Sequence, residues 1–323
     1  MSTLVLVEHD RGTLAPATLE ALAFARTLDA GAVEAVALGA AAEPLASELA
    51  EHGATAVHVA RHELLADYGP EAWGHGLAAM IAACSPDVVL ASGTDVGNEV
   101  LAHAAAITAQ PFAANCVAVT IAAPGRATLT RLRWGGSLFE EATMTARPLI
   151  LSAAPHAVDA GRSPVEPTVA TRDVEIPAWA ARTVVVDRVE RAPGLTLATA
   201  PVVVGGGRGV GSAEGFAPLE ELAVELGGAV GCSRAVTNNG WRNHTDQVGQ
   251  TGTRIAPEVY LACGISGAIQ HWVGAMAAKH IVAVNTDPDA NMVSKAGYAV
   301  IGDLHAVVPA ITAEVRRRRS VAE

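Results

Sequence analysis

Apolar positions along the first ninety residues fall into short unbroken runs separated by stretches with helical spacing. Residues 3–7 form an apolar run that predicts a strand. Residues 15–28, in which Leu19, Leu22, Ala23 and Arg26 sort to different faces, predict a helix. The alternation continues with a strand over 33–38, a helix over 44–52 that carries a proline at its start, a strand over 56–60 and a helix over about 71–83. A buried strand over 87–91 then ends in Ser92-Gly93-Thr94. Strands that alternate with helices in this way build a parallel sheet covered by helices on both faces.

The rhythm then changes. Residues 114–121, 128–133, 138–144 and 149–153 read as strands joined by short turns, which predicts an antiparallel addition at the sheet edge. Residues 155–167 are rich in Pro, Ser, Ala and Gly, and a strand pair is expected over 172–176 and 183–189. A connector over 192–201 places a domain boundary within about 190–200. Beyond it the alternation restarts: strand 201–204, glycine-rich turn 205–211, helix 216–226, strand 229–232, and a polar loop reaching 253. Strand 258–262, helix 266–278, strand 280–284, strand 299–301 and helix 304–316 complete the chain. The expected fold class is α/β with two domains, 1–190 and 191–323, each a mainly parallel sheet flanked by helices.

Composition narrows the function. The chain has 323 residues and half of it is hydrophobic, enough for two domains that each bury a core. A net charge of −11, from 22 Lys and Arg against 33 Asp and Glu, repels phosphate backbones and argues against nucleic acid as a partner. The basic cluster Arg316 to Arg319 suits the end of a last helix, where cations meet the negative pole of the helix dipole. None of Cys84, Cys116, Cys232 and Cys263 stands in a metal-ligand spacing, so free thiols in a reducing compartment are expected. No apolar run approaches the roughly 20 residues that span a bilayer, and residues 1–7 lack the basic and long apolar regions of a leader. The expected location is cytoplasmic, without membrane insertion.

Four loops in the second half concentrate polar groups at strand ends, where ligands of open parallel sheets bind. The first is Gly205 to Gly211, with Arg208 as a permanent cation; its glycines suit either a phosphate or a tight turn. The second is Cys232-Ser233-Arg234, a hydroxyl and a guanidinium that fit an anion or a plain surface turn. The third is Asp246-Gln247-Val248-Gly249-Gln250-Thr251-Gly252, dense in donors and acceptors. The fourth is Gly264 to His271, where Ser266 is expected as a helix N-cap and His271 lies one turn on. A hydrolase elbow of the form GxSxG is excluded there, because Ala268 takes the final glycine position. Two acids follow later strands: Asp287, and Asp303, which also reads as an N-cap of the last helix.

These residues resemble the alpha subunits of electron transfer flavoproteins. The resemblance rests on PEVYLACGISGAIQH from Pro257, a strand ending in Ala283-Val284-Asn285 with Asp287 beyond it, and IGDL ending at Leu304. GGRGVGS, the Ser233-Arg234 pair and QVGQTG precede them in the family's order, so the specific similarity covers about 201–312. In the first half LVLVEH and Gly135-Gly136 are also similar.

The resemblance implies a Rossmann-like C-terminal domain that binds FAD. It places Arg208, Ser233, Arg234, Gln247, Val248, Gly249, Gln250, Thr251, Ser266, Gly267, Ala268, Ile269, Gln270, His271, Asn285, Asp303 and Leu304 at the cofactor. Gln250 and Thr251 would approach the flavin ring and ribityl chain, His271 the pyrimidine carbonyl, Arg234 the ring, and Asp303 and Leu304 the adenosine end. A donor and a cation beside the ring stabilise the negative charge that reduction adds, which suits a carrier better than a substrate-activating dehydrogenase. The resemblance further implies a heterodimer whose beta subunit contacts the first domain and holds AMP. A flavin-linked dehydrogenase would be its electron donor and a membrane quinone oxidoreductase its acceptor. Alternatives are an FAD-dependent dehydrogenase subunit, a flavin-free structural paralogue, or a bifurcating complex with a second FAD in the partner. Two stretches depart from the family pattern: Ala290-Asn291-Met292-Val293 and Thr237-Asn238-Asn239-Gly240-Trp241.

Overall fold

A computed structural model of the chain describes residues 1–187 and 195–322. It divides into two compact units, Met1–Val189 and Glu190–Glu323. The expected boundary between 190 and 191 lies outside the described residues.

The first unit opens with β1 (Ser2–Leu6), a short hairpin of β2 (His9–Asp10) and β3 (Thr13–Leu14), α1 (Pro16–Thr27) and β4 (Ala32–Leu38). A 3-10 turn over Ala40–Leu45 leads into α2 (Ala46–Glu51), followed by β5 (Ala56–Arg61), α3 (Pro70–Cys84), β6 (Val88–Ser92) and α4 (Asp95–Ile107). Then come β7 (Phe112–Ala123), β8 (Arg126–Arg133), β9 (Leu138–Thr145), β10 (Leu149–Ala153) and β11 (Thr168–Asp173). The nine-stranded sheet runs β11-β5-β4-β1-β6-β10-β7-β8-β9 and is parallel from β11 to β7. Only β8 and β9 pair antiparallel. One sheet face packs against α1 and α2 through Leu22, Phe24 and Leu49; the other packs against α3 and α4 through Trp73, Leu77 and Leu101.

Several elements differ from the sequence expectation. The helix α4 was not foreseen, although Thr94 caps it by accepting a hydrogen bond from the Gly97 amide at 2.9 Å. Pro44 sits inside the 3-10 turn, so α2 begins only at Ala46. The strand β10 is not part of the antiparallel addition: it inserts between β6 and β7 and is parallel to both. All five of its residues are buried, as a strand covered on both faces requires. No strand pair forms over 172–176 and 183–187 among the described residues (188 and 189 lie outside them), and β11 alone extends the sheet beside β5. Val174 and Ile176 instead turn their side chains into the core under α3, and residues 183–187 form no strand.

The second unit is a five-stranded, wholly parallel sheet of order β13-β12-β14-β15-β16. Its elements are β12 (Val202–Gly206), α5 (Ala217–Glu225), β13 (Ala229–Cys232), α6 (Arg234–Asn238), β14 (Val259–Cys263) and α7 (Ile269–Ala275). They are followed by β15 (His280–Asn285), α8 (Asn291–Lys295), β16 (Tyr298–Ile301) and α9 (Leu304–Ala322). Phe216, Leu219 and Leu222 pack with Val308 of α9 on one face. Tyr260, Ile281 and Met292 fill the other. The cluster Arg316 to Arg319 lies on α9, where each arginine is ion-paired to Glu221, Glu225 or Glu314. Both units are therefore α/β, with large mainly parallel sheets flanked by helices. No helix among the described residues is long and apolar enough to cross a membrane.

Candidate functional site

In the second unit the chain runs from β12 to its neighbour on one side, β13, and then crosses to β14 on the other. The loops after β12 and β14 consequently diverge and leave a crevice at the carboxyl ends of the strands. Gly207 makes this meeting of loops possible. Its amide bonds to the Cys263 carbonyl at 2.9 Å. A Cβ added there would lie 2.1 Å from the Gly264 oxygen, which only glycine avoids. The Gly209 amide donates to the same Gly264 carbonyl at 3.2 Å, so the two loops are laced together beneath the crevice.

A cavity of ≈ 640 Å³ occupies this crevice, within the usual range for small-molecule sites. Eleven of the residues expected from sequence line it. They are Arg208 after β12, Ser233 and Arg234 after β13, Ser266, Gly267, Ala268, Gln270 and His271 after β14, Asn285 at the end of β15, and Asp303 and Leu304 after β16. Arg208 and Arg234 are both exposed and carry no ion pair among the described residues, so their charges face the opening without a protein anion to neutralise them. Asn285 ties the floor together: its side-chain amide donates to the Ile265 carbonyl at 3.0 Å, while its oxygen accepts from the Asp287 amide at 3.1 Å.

The other six expected residues stand elsewhere. Gln247, Val248, Gly249, Gln250, Thr251 and Ile269 do not line the cavity. The loop carrying the first five is anchored beside it, with the Gln250 amide donating to the Gln270 carbonyl at 2.7 Å. From α6 the Thr237 hydroxyl donates to Gln247 Oε1 at 2.8 Å, and Gln247 Nε2 donates to Thr251 Oγ1 at 2.9 Å. Thus the stretch from Thr237, which departs from the family pattern, is tied to Thr251 through one buried amide. Asn238 of the same stretch and Ala290 of the other departing stretch line the cavity directly, as do Ala235, Thr286 and Gly302. For these the sequence offered only proximity to the strand ends.

Two expected caps resolve differently. Asp303 does cap α9: its carboxylate accepts from the His305 amide at 2.9 Å, and it borders the cavity as well. Ser266 does not cap α7, which begins at Ile269 with Ala268 at the cap position and no side-chain bond. The reason is that the chain turns at Gly267, whose φ is +78°, before the helix begins, and the Ser266 carbonyl is held by the Met292 amide of α8 at 3.1 Å.

His271 is the one titratable cavity residue that is buried. Its Nε2 lies 2.7 Å from the hydroxyl of Tyr260, itself fully buried. Burial pushes the imidazole pKa down to about 4, against a smaller opposing pull from the Val248 backbone. That backbone lies close enough to favour a ring proton but not in hydrogen-bond geometry, because His271 Nδ1 is buried without a partner. The imidazole is therefore neutral near pH 7. Burial likewise pushes the Cys232 and Cys263 thiols at the adjoining strand ends up to about 12, so neither is a thiolate.

The sequence family described as electron transfer flavoprotein FAD-binding domain matches residues 196–276, and the one described as electron transfer flavoprotein domain matches residues 3–184. The chain is 34% identical to an electron transfer flavoprotein subunit alpha of Bacillus subtilis over 97% of each chain. It is 36% identical to the protein of that name in Mycobacterium leprae over 98% of each. It is 34% identical to the protein FixB of Bradyrhizobium diazoefficiens, over 97% of this chain and 88% of that one.

Proposed function

The chain belongs to the electron transfer flavoprotein alpha-subunit family, and on that premise we propose that it binds one FAD in the cavity of its second unit and carries electrons between two protein partners. The observation that supports this most is the cavity itself, at the strand-order reversal and lined by eleven of the residues that the sequence resemblance places at the cofactor. The donor set fits the group. Gly207 and Gly209 let backbone approach closely, Arg208 and Ser233 offer a cation and a hydroxyl to a diphosphate, and Asp303 and Leu304 sit where an adenosine end would lie. Bound FAD would supply the redox chemistry.

The chain's own residues would hold the ring, shield it and stabilise added negative charge. Arg234 brings a permanent cation to the cavity and His271 a neutral imidazole. A histidine with a pKa near 4 is a weak base at neutral pH, which favours a carrier without substrate turnover over a dehydrogenase. In this reading a beta subunit completes a heterodimer by contacting the first unit and holds AMP. A flavin-linked dehydrogenase delivers electrons, a membrane quinone oxidoreductase receives them, and the carrier works in the cytoplasm. The absorption spectrum of the chain co-expressed with its beta subunit tests the proposal. Flavin bands at about one FAD per heterodimer are expected; a colourless complex that cannot be reconstituted with FAD would overturn it.

A further inference from the structure

Charge in the cavity of the second unit is sorted by strand. Its cations, Arg208 and Arg234, follow β12 and β13, and its carboxylates, Asp287 and Asp303, follow β15 and β16. Since β12 and β14 lie between β13 and β15, about 14 Å of sheet separates the strand behind Arg234 from the strand behind Asp287. The chain around Arg234 offers no closer partner. Between Glu225 and Glu258 the only acid is Asp246, and Arg242 takes it at 3.0 Å and takes Glu220 as well. Arg234 and Asn238 open and close α6, one helical turn apart, and both are exposed and line the cavity. Residues so spaced on a helix are neighbours. Asparagine differs from aspartate only in an amide nitrogen that replaces a carboxylate oxygen, so 238 is the position from which one carboxylate would neutralise the cation. Arg242 and Asp246 stand four apart in the same order and do form such a pair.

We propose that Asn238 is a positioning residue for the flavin site: its neutral amide leaves the Arg234 guanidinium without an ion pair, so that the cation serves the negative charge that reduction adds to the ring. The inference rests on the FAD reading above. A cation already paired with a carboxylate stabilises that charge less, because the carboxylate lies only slightly further off and repels what the guanidinium attracts. Asn238 belongs to the stretch from Thr237 to Trp241 that departs from the family pattern. The departure thereby reaches the charge beside the ring, and position 238 sets how strongly the carrier holds an added electron.

The test introduces the missing carboxylate. The heterodimer is prepared unsubstituted, with Asn238→Asp, with Arg234→Gln and with both substitutions. Two quantities are read. The first, taken on the flavin-depleted complex labelled with 15N-arginine, is the exchange of the Arg234 side-chain Nε proton with water, its signal assigned by loss in Arg234→Gln. We expect fast exchange in the unsubstituted complex and slowed exchange in Asn238→Asp. The second is the flavin potential. Asn238→Asp should weaken the preference for reduced over oxidised flavin by up to tenfold, about 59 mV for one electron. In the Arg234→Gln background the same substitution should do less than half as much. Slow exchange at Arg234 in the unsubstituted complex overturns the proposal, even if Asn238→Asp fails to fold. An equal shift of potential in both backgrounds also overturns it, because the introduced carboxylate then acts by its own charge. Unchanged exchange and potential in Asn238→Asp overturn it as well. A complex that takes up no flavin, yet shows Arg234 exchange slowed by Asn238→Asp, sinks the FAD reading and leaves the Asn238–Arg234 geometry standing.

Discussion

Each unit of this chain has a crevice at the carboxyl ends of a parallel sheet, and the two crevices are built to opposite ends. In the first unit the order reverses between β1 and β6. The chain leaves β1 as Val7-Glu8-His9, and a side-chain bond bridges the gap: Thr94 donates to the Glu8 carboxylate at 2.5 Å, while on the β4 side His9 meets the Leu38 carbonyl at 2.8 Å. In the second unit the equivalent segment is Gly207-Arg208-Gly209, the loops contact each other through backbone alone, and the space above them stays open as the ≈ 640 Å³ cavity. The lesson is that strand order creates a crevice in both units, and the residue types one or two positions past the first strand decide whether it closes on itself or remains open for a ligand.

The sharpest way to break this contrast is to give the second crevice a side chain. Gly207→Ala places a methyl group 2.1 Å from the Gly264 oxygen, a backbone atom that cannot swing aside. We expect the second unit to lose about 3 kcal/mol, the upper part of the range for overpacking, and flavin binding to disappear. Calorimetric unfolding and flavin content of the purified complex check both. A stable, yellow Gly207→Ala protein would mean that the laced loops do not define the site.

Acid provides the next largest effect. The folded pKa of His271 is depressed from 6.5 to about 4, so the unfolded chain takes up a proton that the folded one refuses. The stability this contributes is complete above pH 6.5 and is lost as pH falls toward about 4, amounting to about 3 kcal/mol at most. Urea unfolding of the second unit at stepped pH should show this slope, and His271→Asn should flatten it. An unaltered slope in the variant would assign acid sensitivity elsewhere.

How much of this was legible in the sequence follows the same division. In the second unit the strand positions, the four loops and most of the cavity lining could be read directly, because glycines, an arginine and polar clusters at strand ends have few other uses. What could not be read was which loop residues face the cavity. Gln247 to Thr251 were expected in it and are held beside it by the Gln250–Gln270 bond, a contact between segments twenty residues apart. The Tyr260–His271 bond is hidden for the same reason: one residue reads as a strand interior and the other as the first turn of a helix. In the first unit the misreadings are tertiary. The apolar residues 149–153 carry no sign that they insert between two earlier strands, whereas 95–107 does carry a helical stripe in Val96, Val100, Leu101 and Ala104, which the sequence expectation left unassigned. Its cap Thr94 was visible as a strand-ending residue only.

In the closed crevice a smaller change should have a confined effect. Thr94→Val removes the cap on the Gly97 amide and the bond to Glu8, and should cost the first unit about 1 kcal/mol. Flavin content and the unfolding of the second unit should be unaltered. A loss of flavin in Thr94→Val would show that the two crevices are coupled, contrary to the division drawn above.

Glu8→Gln should have the smallest effect and the most telling sign. Burial raises the Glu8 pKa above 4.5; the Thr94 bond opposes this and the neighbouring Asp95 adds to it. Below pH 4.5 the carboxyl is protonated in both the folded and unfolded chains. As pH rises through the raised folded value, the folded chain must ionise a group that burial holds back, so the stability present in acid is lost toward neutrality. This is the reverse of His271, whose contribution is lost as pH falls. Replacing Glu8 with glutamine removes the ionisation while keeping an oxygen for Thr94 to donate to. The variant and the unsubstituted chain should therefore coincide in acid and separate toward neutral pH, with the variant the more stable. If the unsubstituted chain gains on the variant as pH rises, the Thr94 bond outweighs burial, and the first crevice is held shut by a charged carboxylate instead of a reluctant one.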